Sequence, residues 1–183
     1  PLYQSTTYKY DTSDDLAALF NLEAEGYIYT RIGNPTLAAF EQKLSDLEGG
    51  VGAVATASGQ AAIMLAVLNI CSSGDHLLCS STVYGGTFNL FGVSLRKLGI
   101  DVTFFNPNLT ADEITALAND KTKLIYAESL GNPAMNVLNF KEFSAAAKKL
   151  EVPFIVDNTL ATPYLCQAFE HGANIIVHST TKY

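Results

Sequence analysis

Short runs that are apolar at nearly every position alternate along this chain with stretches of helical period, and that alternation restricts the fold more than any other feature. Leu124-Ile125-Tyr126-Ala127 and Phe154-Ile155-Val156 offer no residue that must turn toward water. A strand of that kind is buried on both faces, as in a parallel sheet covered by helices on each side. Strand-like runs fall at about 52–56, 76–80, 101–105, 123–127, 153–157 and 174–178. Helical stretches at about 58–70, 86–98, 110–119, 139–150 and 163–171 lie between them. Upstream, Asn34-Pro35-Thr36 opens a helix with Leu37, Phe40, Leu44 and Leu47 on one face, and Glu48-Gly49-Gly50 closes it. The expected fold is α/β, a mostly parallel sheet flanked by helices over 51–183, preceded by an arm and helix over 1–50.

Composition narrows the class of function. The 183 residues suffice for one sizeable domain, and 48% hydrophobic with 16% charged residues describes a globular chain. A net charge of −7 argues against a nucleic-acid surface. Cys71, Cys79 and Cys166 are odd in number and lack metal-ligand spacing, which suits free thiols in a reducing cytoplasm. No run is long and apolar enough for a transmembrane helix, and Pro1-Leu-Tyr-Gln-Ser-Thr-Thr-Tyr8 lacks the pattern of a signal peptide. The missing initiator Met and the stop just after Lys182 lead us to expect further residues at both ends.

Parallel sheets bind ligands at the carboxyl ends of their strands, and the chemistry-bearing residues cluster there. Ala57-Ser58-Gly59-Gln60 follows the first run and opens a helix, whose free N–H groups and dipole suit a phosphate. Equally, Ser58 is an ordinary N-cap and Gly59 a turn residue. Tyr84-Gly85-Gly86 sets a ring beside two glycines, for stacking on a flat ligand or for packing on its own helix. Glu128-Ser-Leu-Gly-Asn132-Pro133 follows the fourth run. Asn132 is either a donor to a phenolate oxygen or half of a common turn dipeptide, and Glu128 either a supporting carboxylate or a solvated loop acid. Asp157 closes Phe154-Ile-Val, where a carboxylate needs a partner: a protonated ring nitrogen, or a helix N-terminus that it caps. Lys182 follows Ser179-Thr180-Thr181. If that stretch is extended, the hydroxyls of Ser179 and Thr181 share a side, and a buried Lys182 has its pKa lowered. An amine that reacts with an aldehyde and an acid that holds a pyridine nitrogen suit pyridoxal 5′-phosphate (PLP).

The ordered runs Tyr29-Thr-Arg31-Ile-Gly-Asn-Pro-Thr36, Ala57-Ser-Gly-Gln-Ala-Ala62, Tyr84-Gly-Gly86, Glu128-Ser-Leu-Gly-Asn-Pro133, Val156-Asp-Asn-Thr159 and His178-Ser-Thr-Thr-Lys-Tyr183 resemble the Cys/Met-metabolism PLP-dependent enzymes of the aspartate-aminotransferase fold type. The resemblance implies that Lys182 forms the Schiff base and shuttles protons, that Asp157 pairs with the pyridine nitrogen, and that Tyr84 stacks on the ring. It implies that Ser58, Gly59, Gln60, Ser179 and Thr181 hold the phosphate and that Asn132 faces the phenolate oxygen. It also implies that Tyr29 and Arg31 reach the phosphate of a neighbouring subunit, in a dimer-built tetramer with shared active sites. Ser58-Gly-Gln-Ala-Ala62 and Tyr84-Gly-Gly-Thr-Phe-Asn-Leu-Phe91 are most similar to the O-acetylhomoserine sulfhydrylase branch. That branch implies γ-replacement: O-acetyl-L-homoserine and sulfide give L-homocysteine and acetate. The family's C-terminal domain and its carboxylate-binding arginine are expected beyond this chain. The competing readings are a methionine γ-lyase, a cystathionine γ-synthase, or a non-catalytic α/β interaction module.

Overall fold

The computed structural model describes residues 1–182, in two compact units divided between Ala55 and Thr56. The first unit holds α1 (Ser13–Phe20) and α2 (Pro35–Glu48). The start and stop of α2 are the ones the sequence predicts. Asn34 accepts the Thr36 N–H at 2.9 Å, Pro35 occupies the first turn, and Gly49 ends the helix at φ 71°, a conformation that costs glycine nothing. The apolar stripe behaves differently. Leu37, Phe40 and Leu47 are exposed, and Ser45 and Glu48 are the buried residues of α2. Helical period fixes which residues share a face but not what covers that face.

The second unit is a sheet of five parallel strands in the order β2-β1-β3-β4-β5. The strands are β1 (His76–Ser80), β2 (Asp101–Phe105), β3 (Thr122–Glu128), β4 (Phe154–Asp157) and β5 (Ile175–Val177). Alternate side chains enter two separate cores, as a period of two requires. Leu77, Cys79, Leu124, Tyr126, Ile155 and Val177 pack with Ile63 and Val67 of α3 (Gly59–Leu68) and with Phe91 and Leu95. Leu78, Ile125, Ala127, Phe154 and Val156 pack with Ile114 of α5 (Ala111–Ala116) and with Phe143 and Ala146 of α6 (Phe140–Leu150). This double burial is why β1, β3 and β4 carry no polar alternation.

Three expected elements differ. The run at 52–56 is not a strand: Val54 is exposed, and the Ala55 N–H donates to the Glu41 carboxylate at 2.7 Å instead of joining a ladder. The helix expected at 86–98 is α4 (Gly85–Asn89) followed by a π-helical turn at Leu90–Leu95, which sends Phe91 and Leu95 into the core. The helix expected at 163–171 breaks into α7 (Thr162–Leu165) and a 3₁₀ turn (Ala168–His171), because Cys166 is extended at φ −150° and ends the first piece. Cys71, Cys79 and Cys166 are free thiols.

At the opposite edge from the strand mouths, buried His76 ties three strands together. Its Nδ1 and Nε2 bond the hydroxyls of Thr122 on β3 (2.8 Å) and Thr103 on β2 (2.9 Å). Burial lowers its pKa, opposed by the charge of Asp101. The neutral ring is therefore the form that the fold holds. Its stabilisation is fully present above the ordinary histidine pKa and is lost as pH falls toward the lowered folded value. Chemical denaturation of the full-length protein at pH 5 and pH 7 should show a larger acid loss than His76→Gln shows over the same interval. The variant itself should lose about 1–3 kcal/mol at pH 7 from the disturbed hydrogen bonds. Equal pH dependence in the two proteins would rule out His76 as the titrating group.

Candidate active site

The polar residues singled out in the second unit gather at the carboxyl edge of the sheet. In-register pairing sets Glu128, the last residue of β3, beside Asp157, the last of β4, and Asp157 beside Val177 of β5. Tyr126 and Ile155, two positions earlier on their strands, belong to the core on the α3 side. Glu128 and Asp157 therefore share that face. Ligand crevices of such sheets open where the chain order reverses, here between β1 and β3.

Asp157 Oδ1 accepts the Thr159 backbone N–H at 2.9 Å. This is an aspartate turn and not a helix cap, since α7 starts only at Thr162 with Ala161 before it. Thr159 Oγ1 in turn accepts the Ser179 N–H at 2.8 Å, so one threonine links the ends of β4 and β5. Burial pushes the Asp157 carboxyl above its ordinary pKa. The Thr159 bonds and the charges of His178 and Lys182 act in the other direction.

Ser58 caps α3, its Oγ accepting the Ala61 N–H at 3.1 Å. A Cβ at Gly59 would lie 2.6 Å from Ser179 Cβ and 3.1 Å from its Cα, so only glycine lets the first turn of α3 approach the loop after β5 this closely. Gln60 Nε2 donates to Thr87 Oγ1 at 3.2 Å and braces α3 against α4. The first N–H groups of α3 thus stand beside the Ser179 hydroxyl, a donor set that suits an anion.

Past Val177, β5 has outrun β4, whose last residue is paired with it, and the chain does not stay extended. Thr180–Lys182 is a 3₁₀ turn, with the Lys182 N–H donating to the Ser179 carbonyl at 3.3 Å. The alternation expected to place Ser179 and Thr181 on one side of an extended stretch therefore does not apply. Lys182 is exposed, so the desolvation expected for it is not found. Its charge nonetheless acts on Asp157.

Tyr84 precedes α4. Its N–H donates to Glu128 Oε1 at 2.7 Å, and its half-exposed ring lies over Gly86, where a Cβ would meet the ring at 2.5 Å. Glu128 is not a solvated loop acid: it is 7% exposed. Burial pushes its pKa up to about 8, helped by the Asp157 charge and opposed by the Tyr84 N–H. Asn132 is half-buried in the loop after β3. That loop is fastened to the loop after β1 through Asn136 Nδ2, which donates to Thr82 Oγ1 at 3.1 Å. Tyr29 and Arg31 belong to the first unit, where the Arg31 guanidinium sits 5.4 Å from the centre of the Tyr29 ring and Tyr29 forms an isolated bridge with Thr7.

Sequence reasoning missed the bracing roles of Thr159 and Asn136, and left Glu128 open between a supporting carboxylate and a solvated loop acid. The signal for Glu128 was available: it closes Leu124-Ile-Tyr-Ala127 just as Asp157 closes Phe154-Ile-Val156. Nothing in the sequence alone shows which backbone amide either acid would meet.

Residues 1–183 match the family model for Cys/Met metabolism PLP-dependent enzymes. The chain is 47% identical over its full length to an O-acetyl-L-homoserine sulfhydrylase of Leptospira meyeri, and 45% identical to a homocysteine/cysteine synthase of Kluyveromyces lactis. It spans 41% of the length of each. Among solved structures it resembles an O-acetylhomoserine (thiol)-lyase from Campylobacter jejuni, described with N′-pyridoxyl-lysine-5′-monophosphate. The TM-score is 0.92 at 40% identity, covering 100% of this chain and 45% of that one. With the whole chain matched, this protein belongs to the Cys/Met metabolism PLP-dependent enzyme family.

Proposed function

We propose that the intact protein is a PLP-dependent O-acetylhomoserine sulfhydrylase, converting O-acetyl-L-homoserine and sulfide to L-homocysteine and acetate. The observation that carries the reading is the convergence of Asp157, Lys182 and the Gly59–Ser179 contact at the mouths of β4 and β5. The residues fit the cofactor. A half-buried acid raised in pKa wants a cationic partner, the start of α3 wants an anion, and Gly59 leaves the room that a Cβ would fill. The names of the relatives favour the sulfhydrylase branch.

When bound, PLP supplies an aldehyde that takes up amines and a ring that draws electrons from the adjoining carbon. On this reading Ser58, Gly59, Gln60, Ser179 and Thr181 hold the phosphate. Asp157 keeps a proton on the pyridine nitrogen by offering it a carboxylate. Tyr84 covers one face of the ring, and Asn132 donates to the phenolate oxygen. Lys182 Nζ moves one proton at a time: it takes the proton from the substrate's Cα, gives it up, then takes one from Cβ, and after the exchange at Cγ a proton is returned to each carbon. Acetate leaves from Cγ and sulfide takes its place. Tyr29 and Arg31 serve the phosphate of a neighbouring subunit in a dimer-built cytoplasmic tetramer, and the arm over 1–50 makes that contact.

Full-length protein supplied with O-acetyl-L-homoserine and sulfide should release homocysteine and acetate, and borohydride reduction should leave the pyridoxyl group on Lys182. Release of 2-oxobutyrate would indicate a lyase instead. A label on Lys123 or Lys148 would overturn the lysine assignment.

Asp157→Asn should retain part of the cofactor and lose at least about 100-fold in turnover, the lower range for a group that controls proton chemistry. Turnover within a few-fold of the parent would reduce Asp157 to the turn it makes with Thr159.

Mixed dimers of Arg31→Ala and Lys182→Ala subunits should recover activity that neither variant has alone, since one site in each mixed dimer keeps both residues. No recovery in verified mixed dimers would show that each site is built from a single chain.

A further inference from the structure

Glu128 remains without a task in the chemistry above, and its placement is costly. It is 7% exposed and sits in register with a second acid, Asp157, on the next strand. The other titratable groups facing it are Cys79 on β1 and Tyr126 on β3, both pushed well up in pKa by burial. Neither supplies a cation. A buried carboxylate between such neighbours destabilises the chain unless it has hydrogen bonds. The bond that it makes runs to one place: Oε1 accepts the Tyr84 N–H at 2.7 Å, 44 positions away.

The segment around that N–H is tied at Thr82 and Thr87 by side chains, and the Glu128 bond is the tie at Tyr84 itself. Tyr84 is the residue before α4, makes no side-chain cap, and is followed by only five residues of α-helix before the π-helical turn. Its ring is half-exposed and rests on Gly86, where even a methyl group would collide with it. The backbone tie to β3 and the bare Cα of Gly86 together determine where the ring stands.

We propose that Glu128 is a positioning residue: by holding the Tyr84 backbone N–H from the end of β3, it fixes the Tyr84 ring over the crevice in which the cofactor lies. The inference rests on the reading of that crevice given under Proposed function. A carboxyl group suits the task because it keeps an oxygen able to accept the N–H whether or not it carries its proton. The end of β3 suits it because β3 is central in the sheet, between β1 and β4. Tyr84 is thereby referenced to a rigid strand and not to its own short helix.

The test is a double-mutant cycle on cofactor affinity. The full-length apoprotein is titrated with PLP by equilibrium dialysis, as the parent, Glu128→Gln, Glu128→Met, Tyr84→Ala and the Glu128→Met/Tyr84→Ala pair. Glu128→Gln keeps an oxygen for the Tyr84 N–H and should bind within about threefold of the parent. Glu128→Met keeps the length but loses the acceptor, and should weaken binding about tenfold, as should Tyr84→Ala. The pair should be no weaker than Tyr84→Ala alone, since Glu128 acts through Tyr84. Hydrogen exchange of Glu128→Met should rise over 82–89 while β1 and β3 keep their protection. Additive losses in the pair, a Gln variant as weak as Met, or protection lost across β1 and β3 would each overturn the inference, the last by making Glu128 a general structural support. Tyr84→Ala binding as tightly as the parent would overturn it too, while leaving the Lys182 assignment intact. A parent that takes up no PLP would instead bring down the functional reading itself.

Discussion

Both faces of the central strands β1, β3 and β4 are buried, and the rest of the second unit is arranged around that constraint. Leu77, Leu78, Leu124, Ile125, Phe154, Ile155 and Val156 send side chains alternately into two apolar cores, with no face left for water. Polar chemistry has no place along such strands and is displaced to their ends. At the amino edge this yields His76 and its two threonines, which serve cohesion. At the carboxyl edge it yields Glu128 and Asp157 one strand apart, about 4.8 Å in the hydrogen-bonding direction, and facing the same way.

The loops at that edge are held to one another and not only to their own strands. Thr159 joins the ends of β4 and β5, and Gly59 brings α3 against the latter. Glu128 joins β3 to the loop after β1, and Asn136 makes a second fastening between the same two loops. In the first three of these ties at least one participant is backbone. Side chains with proposed chemical roles, such as Lys182 and the Tyr84 ring, are left with free ends on a braced scaffold. A site needs that division of labour, since a reacting group has to move while its support does not.

Local pattern made the strands legible, and geometry across the chain limited the rest. The runs at 76–80, 123–127 and 153–157 are apolar at most steps because those strands are buried on both faces, while 101–105 and 174–178 form the partly buried edges of the sheet. The run at 52–56 looks the same to that test and is not a strand, since strand formation needs a ladder partner that composition cannot reveal. The stripe on α2 was likewise legible as a stripe but not as a buried one. At the proposed site, the sequence offers Asp157 and Lys182 as candidates because an acid and an amine follow apolar strands. The partners of Glu128 and Thr159 were not legible, because their bonds to Tyr84 and Ser179 are ones that only folding creates.

The two acids explain why the edge is poised for a cation. Burial raises both carboxyls, Glu128 to about 8, and the charge of Asp157 on the next strand helps to raise Glu128. For an acid raised above its unfolded pKa, the folded state prefers the proton, so ionisation costs stability as pH climbs from the unfolded value to the folded one. Glu128, raised to about 8, bears that cost at neutral pH, and discharging Asp157 lightens it. Glu128 is committed to the Tyr84 N–H, and Asp157 to the Thr159 N–H through one oxygen. The charges of His178 and Lys182 compensate Asp157 in part. A protonated ring nitrogen at the Asp157 carboxylate would complete the compensation. On the proposed reading, the burial that raises Asp157 would then favour a cationic partner there, and with it the protonated, electron-drawing form of the ring over the neutral one.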